Sequence, residues 1–334
     1  MADRKPGKVR IGISGWRYPP WRGPFYPQGL RQKDELAFAS ATFPSIEVNG
    51  TFYSLQRPDS FAQWHDATPP DFVFSIKGPR YISHVLRLRG IEGPLANFLA
   101  SGVLRLGRKL GPILWQFPPN FKFDPSRIEA FFKLLPHDTE AATEMAPHHE
   151  SRMAGQTWLE TTPKRPMRHA MEIRHDSFVT PDFVELLRRY DVALVCADTV
   201  EWPRLMDVTS DFIYCRLHGS QVLYASGYDG EALDRWAARI AAWAWGGEPA
   251  DAERANSALA PKRARRDVFV YFDNDVKARA PHDAQALMAR LRKRLGEVAG
   301  AASVAAPDIR AKARATARRG VKPKVDCKRS DPLR

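Results

Sequence analysis

Three side chains in this sequence could transfer protons, and each stands at the end of an apolar, strand-like segment. Glu47 and Glu172 are carboxylates, which can act as a general acid and a general base when their surroundings separate their pKa values. His218 can give or take a proton near neutral pH. The sequence therefore predicts Glu47, Glu172 and His218 as catalytic residues.

A larger group of side chains could bind an anionic substrate. Lys77, Arg174 and Arg216 carry positive charge, and arginine can hold a phosphate or carboxylate through two parallel hydrogen bonds. Aromatic residues after the first and second strands could wall a pocket. The predicted substrate-binding residues are Trp16, Asn49, Tyr53, Lys77, Gln116, Arg174, His175, Asp198, Arg216 and Asn274.

A divalent metal ion is a further option at these positions. Glu47, Glu172, Asp198 and His218 form an oxygen-rich set of potential ligands. No HxH or HExxH spacing accompanies them, so no specific zinc motif supports the set. The sequence also lacks the GxSxG motif of a serine nucleophile. It therefore leaves the cofactor unknown and the metal open.

The segments that carry these residues alternate between strand and helix patterns. In one of them Ile213, Cys215 and Leu217 share one face, while Tyr214 and Arg216 share the other, because side chains alternate along a strand. Most of the predicted strands are separated by a predicted helix. The eight strands cover about residues 11–15, 45–49, 72–77, 113–117, 170–174, 192–198, 212–218 and 268–272.

Alternating strands and helices imply a parallel sheet, and eight repeats predict an α/β fold of the closed (β/α)8 TIM-like barrel type. In such a barrel the carboxyl ends of the strands meet at one face, so the polar residues there must converge. Buried polar groups need partners. Two arrangements stay open: a plug of ion pairs, such as Glu172 with Arg174 or Glu47 with Arg216, or a ligand site built on that network.

The net charge of +13 is concentrated at the two ends of the chain. Residues 299–334 carry +7 and residues 1–10 carry +3, so the body between them is only mildly basic. We therefore predict a basic N-terminal extension at 1–10 and a barrel at 11–298 with a polar insertion near 137–168. A basic, flexible C-terminal tail at 299–334 follows, because that segment lacks apolar periodicity.

Hydropathy and cysteine content predict a cytoplasmic protein with no membrane partner. No run approaches the roughly 18 consecutive apolar residues that span a bilayer. The polar segment Met1–Arg10 lacks the apolar stretch of a signal peptide. Three cysteines occur, and Cys196 and Cys215 lie in apolar strand segments, which is typical of reduced cysteines in a core.

Seven short motifs combine glycine, aromatic and charged residues in order between residues 11 and 296. They are Gly15-Trp16 with Tyr18 and Trp21, FYP (25–27), EVNGTFY (47–53), QFPP (116–119), EIRH (172–175), RLHG (216–219) and YFDN (271–274). Together they resemble the motifs of the domain-of-unknown-function 72 family, also called YecE-like. The resemblance implies a TIM-like barrel and no established reaction.

The barrel of that family is similar to those of the endonuclease IV and xylose isomerase group, which suggests phosphodiester or sugar chemistry by analogy. Of the histidine-rich metal set of endonuclease IV, this sequence places only His175 and His218 near the relevant strand ends.

The sequence favours an enzyme, of the hydrolase or isomerase type, that acts on a small anionic ligand at the carboxyl ends of the strands. The expected substrate is a phosphate ester, a phosphodiester or a sugar acid. One alternative is a nucleic-acid-binding protein, because lysines and arginines of the mouth or the basic tail could neutralise phosphates. The other is a non-catalytic barrel that binds a metabolite.

Overall fold

Eight parallel strands close into a barrel in the order in which they occur in the chain. The computed structural model describes residues 5–160, 163–219 and 223–296. Strand β1 pairs with both β2 and β8, which closes the barrel and confirms the predicted (β/α)8 fold. The strands are β1 (Val9–Ser14), β2 (Ser45–Val48), β3 (Val73–Lys77), β4 (Leu110–Gln116), β5 (His169–Glu172), β6 (Val192–Asp198), β7 (Phe212–Leu217) and β8 (Asp267–Phe272).

Helices occupy most of the connections between strands. Asp124, Thr180 and Asp229 each cap a helix, because their side chains accept a hydrogen bond from the backbone N–H three residues later. In the described ranges the helices are α1 (Glu35–Thr42), α2 (Gly50–Tyr53), α3 (Pro58–Asp66), α4 (Glu92–Ala100), α5 (Pro125–Leu134), α6 (Thr139–Met145), α7 (Pro181–Arg189), α8 (Gly230–Ala244) and α9 (Arg279–Leu295).

The strands bury two different faces. Ile213, Cys215 and Leu217 of β7 belong to the large apolar cluster between barrel and helices. Phe212 and Tyr214 belong to a second cluster that fills the lumen. Residues further along the lumen faces therefore lie above this apolar lumen cluster, at the carboxyl ends of the strands. The lumen cluster consists of Val73, Leu114, Ala170, Ala193, Val195, Phe212, Tyr214, Phe269 and Tyr271.

One predicted helix is divided in the structure. The sequence predicts a continuous helix over 94–109, but α4 ends at Ala100 and 3-10 turns follow over Val103–Lys109. Gly102 causes the break, because its φ of 105° lies in the left-handed region. A Cβ at this position would lie 2.6 Å from the Cα of Pro58, so glycine also permits the close approach to α3.

Two strands begin two or three residues earlier than the sequence predicts. Strand β1 starts at Val9, so the last two residues of the predicted N-terminal extension belong to the barrel. Strand β4 starts at Leu110 and runs through Pro112, whose carbonyl accepts a hydrogen bond of 2.9 Å from Ser75 Oγ of β3. The proline lacks an N–H but keeps this acceptor, so the strand tolerates it.

The segment predicted as a polar insertion, 137–168, contains α6 and several turns. It packs against α4 through Asn97 and Glu150: Asn97 Nδ2 donates to Glu150 Oε2 at 2.6 Å, and Glu150 N donates to Asn97 Oδ1 at 2.8 Å. Among the described residues, every helix is too short or too polar to cross a membrane. The predicted basic tail at 299–334 lies outside the described residues.

Candidate functional site

A cluster of polar residues lies above the apolar lumen cluster. Arg216 on β7 lies at its centre, and the Arg216 side chain is only 1% exposed. Its Nη1 donates to Glu172 Oε2 at 2.7 Å, and its Nη2 donates to Asp273 Oδ2 at 2.7 Å. Nη2 and Nε also donate to the carboxylate of Glu47, at 2.9 and 3.0 Å. One guanidinium thus joins carboxylates from β2, β5 and the end of β8, and it has no donor left for a substrate.

These contacts control the charge of the carboxylates. Burial opposes ionisation of Glu172, but Arg216 and Arg174 outweigh it and hold its pKa below the usual range. Burial likewise opposes ionisation of Asp273, and again Arg216 lowers the pKa of this carboxyl. Both groups are therefore ionised at neutral pH.

Glu47 on β2 is completely buried and its oxygens are fully used. Ser14 Oγ donates to Oε1 at 2.9 Å, and the hydroxyl of Tyr214 donates to Oε2 at 2.6 Å, in addition to the contacts with Arg216. The hydroxyl oxygen of Tyr214 also lies 2.7 Å from Ser75 Oγ. Glu47 therefore fixes the position of Arg216 and presents no free oxygen to the mouth.

Arg174 extends the cluster toward solvent. Its Nε donates to Glu172 Oε1 at 2.8 Å, which is one of the two ion pairs expected from the sequence. Its guanidinium carbon lies 3.9 Å from the ring centroid of Trp202, a stacked contact. Its Nη2 lies 3.5 Å from the hydroxyl of Tyr224. Nη1 has no hydrogen bond to a described residue, so it is open to a ligand.

His218 is completely buried between Trp202 and Tyr224, whose rings both lie 5.4 Å from the imidazole and nearly perpendicular to it. Its Nε2 lies 3.4 Å from Arg216 Nη1, which can only donate, so Nε2 must be the acceptor. The proton therefore lies on Nδ1, which is 3.2 Å from Asp273 Oδ2 but off hydrogen-bond geometry. Both ring nitrogens face the network.

Lys77 ends β3 on the lumen face, and it is 6% exposed. Its Nζ lies 4.2 Å from the ring centroid of Phe52, a cation–π contact. No described carboxylate lies within 4.0 Å of this ammonium, and no described atom accepts a hydrogen bond from it. Burial, followed by the charge of Arg216, lowers the pKa of Lys77 to about 8.

The mouth beside Lys77 is electropositive. His84, in the loop after β3, has its pKa lowered to about 4 by burial and then by the charges of Lys77, Arg174 and Arg80. Glu172 acts in the opposite direction but is the weakest of these influences. His84 is therefore neutral at pH 7. The same positive charges that disfavour its protonated form would attract an anion.

The loop after β8 brings two carboxyl groups to the mouth. Burial, followed by the neighbouring charge of Asp273, raises the pKa of Asp275 to about 8. Trp21 Nε1 donates to the Asp275 carbonyl at 3.0 Å, which anchors the loop, while the buried Oδ1 has no described hydrogen-bond partner. Asn49 Oδ1 is also buried without a described partner. Two carboxyl groups in one loop thus differ in protonation at neutral pH.

The segments that supply these side chains match a known family model. The family described as "Protein of unknown function DUF72" matches residues 10–308. The chain belongs to the DUF72 family. This finding agrees with the order and the residues of the motifs noted in the sequence.

Curated relatives match over part of their length. UPF0759 protein YecE of Escherichia coli (strain K12) is 29% identical over 127 residues, which is 38% of this chain and 43% of that protein. UPF0759 protein YunF of Bacillus subtilis (strain 168) is 28% identical over 118 residues, which is 34% of this chain and 41% of that protein. The matches span less than half the length of these relatives.

Solved structures of DUF72 proteins share the fold. A DUF72 family protein from Thermotoga maritima has a TM-score of 0.61 and 25% identity, and the match covers 87% of this chain and 100% of that one. A DUF72 family protein from Enterococcus faecalis has a TM-score of 0.61 at 16% identity, covering 85% and 95% of the two chains. The similarity to the Enterococcus faecalis protein shows only that the two chains share a fold.

Two residues proposed for this DUF72 site lie away from the Arg216 cluster. Asp198 faces outward from β6, where it accepts hydrogen bonds from Trp236 Nε1 of α8 at 3.1 Å and from Arg204 Nη1 at 2.8 Å. Strand alternation explains this, because Asp198 shares the face of Cys196. His175 Nδ1 accepts from the N–H of Ser177 at 3.0 Å and so caps a turn.

Others of the predicted residues stabilise the rim. Asn274 Nδ2 donates to Asp283 Oδ2 of α9 at 2.8 Å and to the Ser226 carbonyl at 3.0 Å, so it connects two loops. Trp16 packs edge-on against Trp64 of α3 at 5.5 Å, within the cluster on the helix side. Asn274 and Trp16 therefore support the site from outside and do not line it.

Gln116 and Tyr53 lie nearer the mouth. Gln116 ends β4 on the lumen face and is in register with Glu172. Tyr53 is 70% exposed at the end of α2, where it lines a groove of about 250 Å³ together with Phe52, Arg80 and other residues. This groove opens beside the ring that contacts Lys77.

The donor set does not fit a metal ion. Glu47, Glu172 and His218 surround the guanidinium of Arg216, so a cation already occupies the centre of the set, and Asp198 faces away. Within the described residues, no group of three or more His, Cys, Asp or Glu side chains could hold a metal.

Sequence reasoning did not select four residues that complete the mouth. His84, Trp202, Tyr224 and Asp275 all lie in loops that follow the carboxyl end of a strand. Position in such a loop is the signal that could have identified them, because barrel sites are built there. Their contacts with Arg174, His218 and Asp273 depend on the tertiary fold.

Proposed function

We propose that this DUF72 protein is an enzyme that acts on a small anionic substrate at the carboxyl ends of β3, β5 and β8. The observation that carries the proposal is Lys77, whose side chain is only 6% exposed at the mouth and whose ammonium has accessible surface but no described counter-ion or hydrogen-bond acceptor. A buried charge is costly unless it is paired. Because the carboxylates around Arg216 are already engaged by guanidinium groups, an incoming anion is the partner that Lys77 lacks.

Arg174 supports the same binding mode. Its Nη1 is open to a ligand, and its stacking on Trp202 keeps the guanidinium plane in one orientation. Burial lowers the pKa of His84, and the charges of Lys77 and Arg174 lower it further. Phosphate esters, phosphodiesters and sugar acids all carry a group that this pair of cations could hold.

Asp275 is the side chain best suited to proton transfer. It is protonated at neutral pH, while its neighbour Asp273 is ionised, and two carboxyl groups separated in this way can serve as acid and base. Glu47 and His218 are buried within the network, so in this proposal they position Arg216 and Asp273. Glu172 does the same for Arg174. Proton transfer of this kind is required by both hydrolases and isomerases.

The experiment compares wild type with Lys77→Met and Asp275→Asn. Binding of phosphate, sulfate and gluconate is measured by calorimetry, and turnover is measured on a panel of phosphate monoesters, phosphodiesters and sugar acids. We expect Lys77→Met to lose anion binding and Asp275→Asn to keep binding but lose turnover. Lys133→Met, which alters a lysine that is 62% exposed on α5, is the matched control.

Stability separates a specific loss of binding from misfolding. The folded pKa of Lys77, about 8, lies below the ordinary value of 10.5, so its charge destabilises the folded state below pH 8. Lys77→Met should therefore be more stable at pH 7, by up to about 3 kcal/mol before the loss of the Phe52 contact is subtracted. Equal anion affinity in Lys77→Met and wild type would refute the proposal. Binding without turnover of any substrate would favour the metabolite-binding alternative.

A further inference from the structure

We propose that Lys77 is an amine nucleophile that forms an imine with an aldehyde or ketone carbonyl of the substrate. The inference rests on the proposed function and narrows its substrate class to carbonyl compounds that carry an anionic group. It gives Lys77 two roles: its ammonium form attracts the anionic group of the substrate, and its free-amine form reacts with the carbonyl. The anionic group is then held by Arg174.

The surroundings of Nζ suit an amine better than a permanent ammonium. The backbone of Lys77 is fixed, because its carbonyl accepts a hydrogen bond of 2.7 Å from Thr51 Oγ1. The side chain then extends past the ring face of Phe52, which offers no lone pair. Loss of the proton from Nζ therefore breaks no hydrogen bond to a described residue.

Lys109 is the contrasting buried lysine in the same barrel. Its Nζ donates to the Thr68 carbonyl at 2.8 Å, to Thr68 Oγ1 at 3.1 Å and to the His65 carbonyl. Burial lowers the pKa of Lys109 as well, but all three N–H bonds of its ammonium are used, which holds this side chain in place. The two side chains have similar exposure, 6% and 5%, but Lys77 lies deeper in the barrel and lacks the acceptors that surround Lys109 Nζ.

The electrostatic surroundings point the same way. The charge of Arg216 adds to the effect of burial on Lys77 and lowers its pKa from 10.5 to about 8. At pH 7 the fraction of free amine is then on the order of a hundredfold larger than for an ordinary lysine. Desolvation beside another cation is a known way to activate a lysine for attack on a carbonyl.

The chemistry needs no group beyond a carbonyl compound. The Nζ lone pair of Lys77 attacks the carbonyl carbon, and a proton passes from nitrogen to the carbonyl oxygen to give a carbinolamine. The carbinolamine takes up one proton at its hydroxyl group and loses water, which leaves a protonated imine. Nothing is oxidised or reduced. The positive nitrogen then accepts the electron pair that is released when a C–H or C–C bond breaks at the carbon next to the imine carbon, which gives an enamine, so such a bond breaks more readily.

Reductive trapping tests the inference on the full-length protein. The protein is incubated at pH 7 with glycolaldehyde phosphate or with neutral glycolaldehyde, in the presence of cyanoborohydride, which reduces an imine to a stable secondary amine. Peptide mass spectrometry then gives the modified fraction at each lysine. We expect Lys77 to be modified at least about tenfold more than exposed Lys133 and than buried Lys109, with the phosphorylated probe reacting faster.

Lys77→Arg supplies the control variant, because it keeps the positive charge and forms no imine. Its trapping should fall to the level of the surface lysines while phosphate binding persists. Modification of Lys77 at or below the level of Lys133 with both probes would overturn the inference. If Lys77 is not trapped but the protein still binds phosphate, only the imine is refuted, and the proposed function is unaffected. Equal trapping of Lys77 by the two probes, without phosphate binding, would instead support the imine and refute the anion site.

Discussion

Arg216 and Lys77 have the same charge and adjoin the same cluster, yet their surroundings give them different chemical capacities. Arg216 donates to three carboxylates, so its charge is neutralised and its donors are used. Lys77 has an aromatic ring as its neighbour and a lowered pKa. Hydrogen-bond partners, more than residue type, decide which buried cation can bind or react.

Glu47→Gln tests whether the Arg216 network stabilises the fold. The substitution keeps the shape but removes the charge opposite Arg216, and its amide brings N–H donors close to the hydroxyls of Ser14 and Tyr214. Breaking one side of a buried ion pair should lower the free energy of unfolding by about 3–5 kcal/mol, measured by urea denaturation. Glu140→Gln, at an exposed ion pair with Lys164, is the control and should change it by less than about 1 kcal/mol. A loss as small in Glu47→Gln as in the control would contradict this account.

At the scale of elements, the strands present the site and the connections complete it. Strand alternation places Lys77, Glu172 and Arg216 on the lumen side, where the sequence pattern also put them. The same alternation turns Asp198 outward to α8. The loops add Asp275, whose protonation state depends on the loop geometry.

Gly102→Ala tests the junction between α4 and the turns that precede β4. The φ of 105° is unfavourable for alanine, and the added Cβ would meet the Cα of Pro58 at 2.6 Å. We expect the free energy of unfolding to fall by about 2 kcal/mol or more. Gly50→Ala is the matched control, since its nearest atom is 3.9 Å away and its φ is not positive. Its free energy of unfolding should stay within about 1 kcal/mol of wild type in the same denaturation assay. Similar losses in both variants would argue against backbone strain at Gly102.

At the scale of the whole molecule, barrel closure joins distant parts of the chain. Glu47 and Arg216 are 169 positions apart in sequence and meet only because β2 and β7 belong to one closed sheet. The basic tail at 299–334 lies outside the described residues, so its contact with nucleic acid stays a prediction, as does the cytoplasmic location.

His169→Gln tests how the folded barrel responds to acid. His169 lies at the start of β5, where Trp115 Nε1 donates to its Nδ1 at 3.2 Å and its Nε2 lies 2.8 Å from the Pro136 carbonyl. Burial lowers its pKa from 6.5 to about 4, so the unfolded chain binds the proton more tightly. This residue should cost up to about 3 kcal/mol of stability as pH falls from 6.5 toward 4.

Glutamine can keep both hydrogen bonds of His169 without titrating. The difference in unfolding free energy between wild type and His169→Gln should therefore change with pH in the window from 6.5 to 4, in favour of the variant at the acidic end. A difference that is constant between pH 6.5 and 4 would show that folding does not lower the pKa of His169.

Local patterns in the sequence were sufficient for the barrel and for the face on which its site lies. Strand alternation in Tyr214 and Arg216, helix spacing between strands and the motifs of the DUF72 family depend on residues near each other in the chain. The sequence predicted the boundaries of α4 and β4 less accurately, because Gly102 and Pro112 act through contacts with α3 and β3.

The tertiary structure alone decided what the polar residues can do. The sequence placed Glu47, Glu172, Arg216 and Lys77 at one face as equal candidates. Closure of the barrel gave Arg216 three carboxylate partners and left Lys77 with none that the described residues provide. Pairing depends on distances of a few ångströms between residues more than a hundred positions apart, and no periodicity in the sequence encodes those distances.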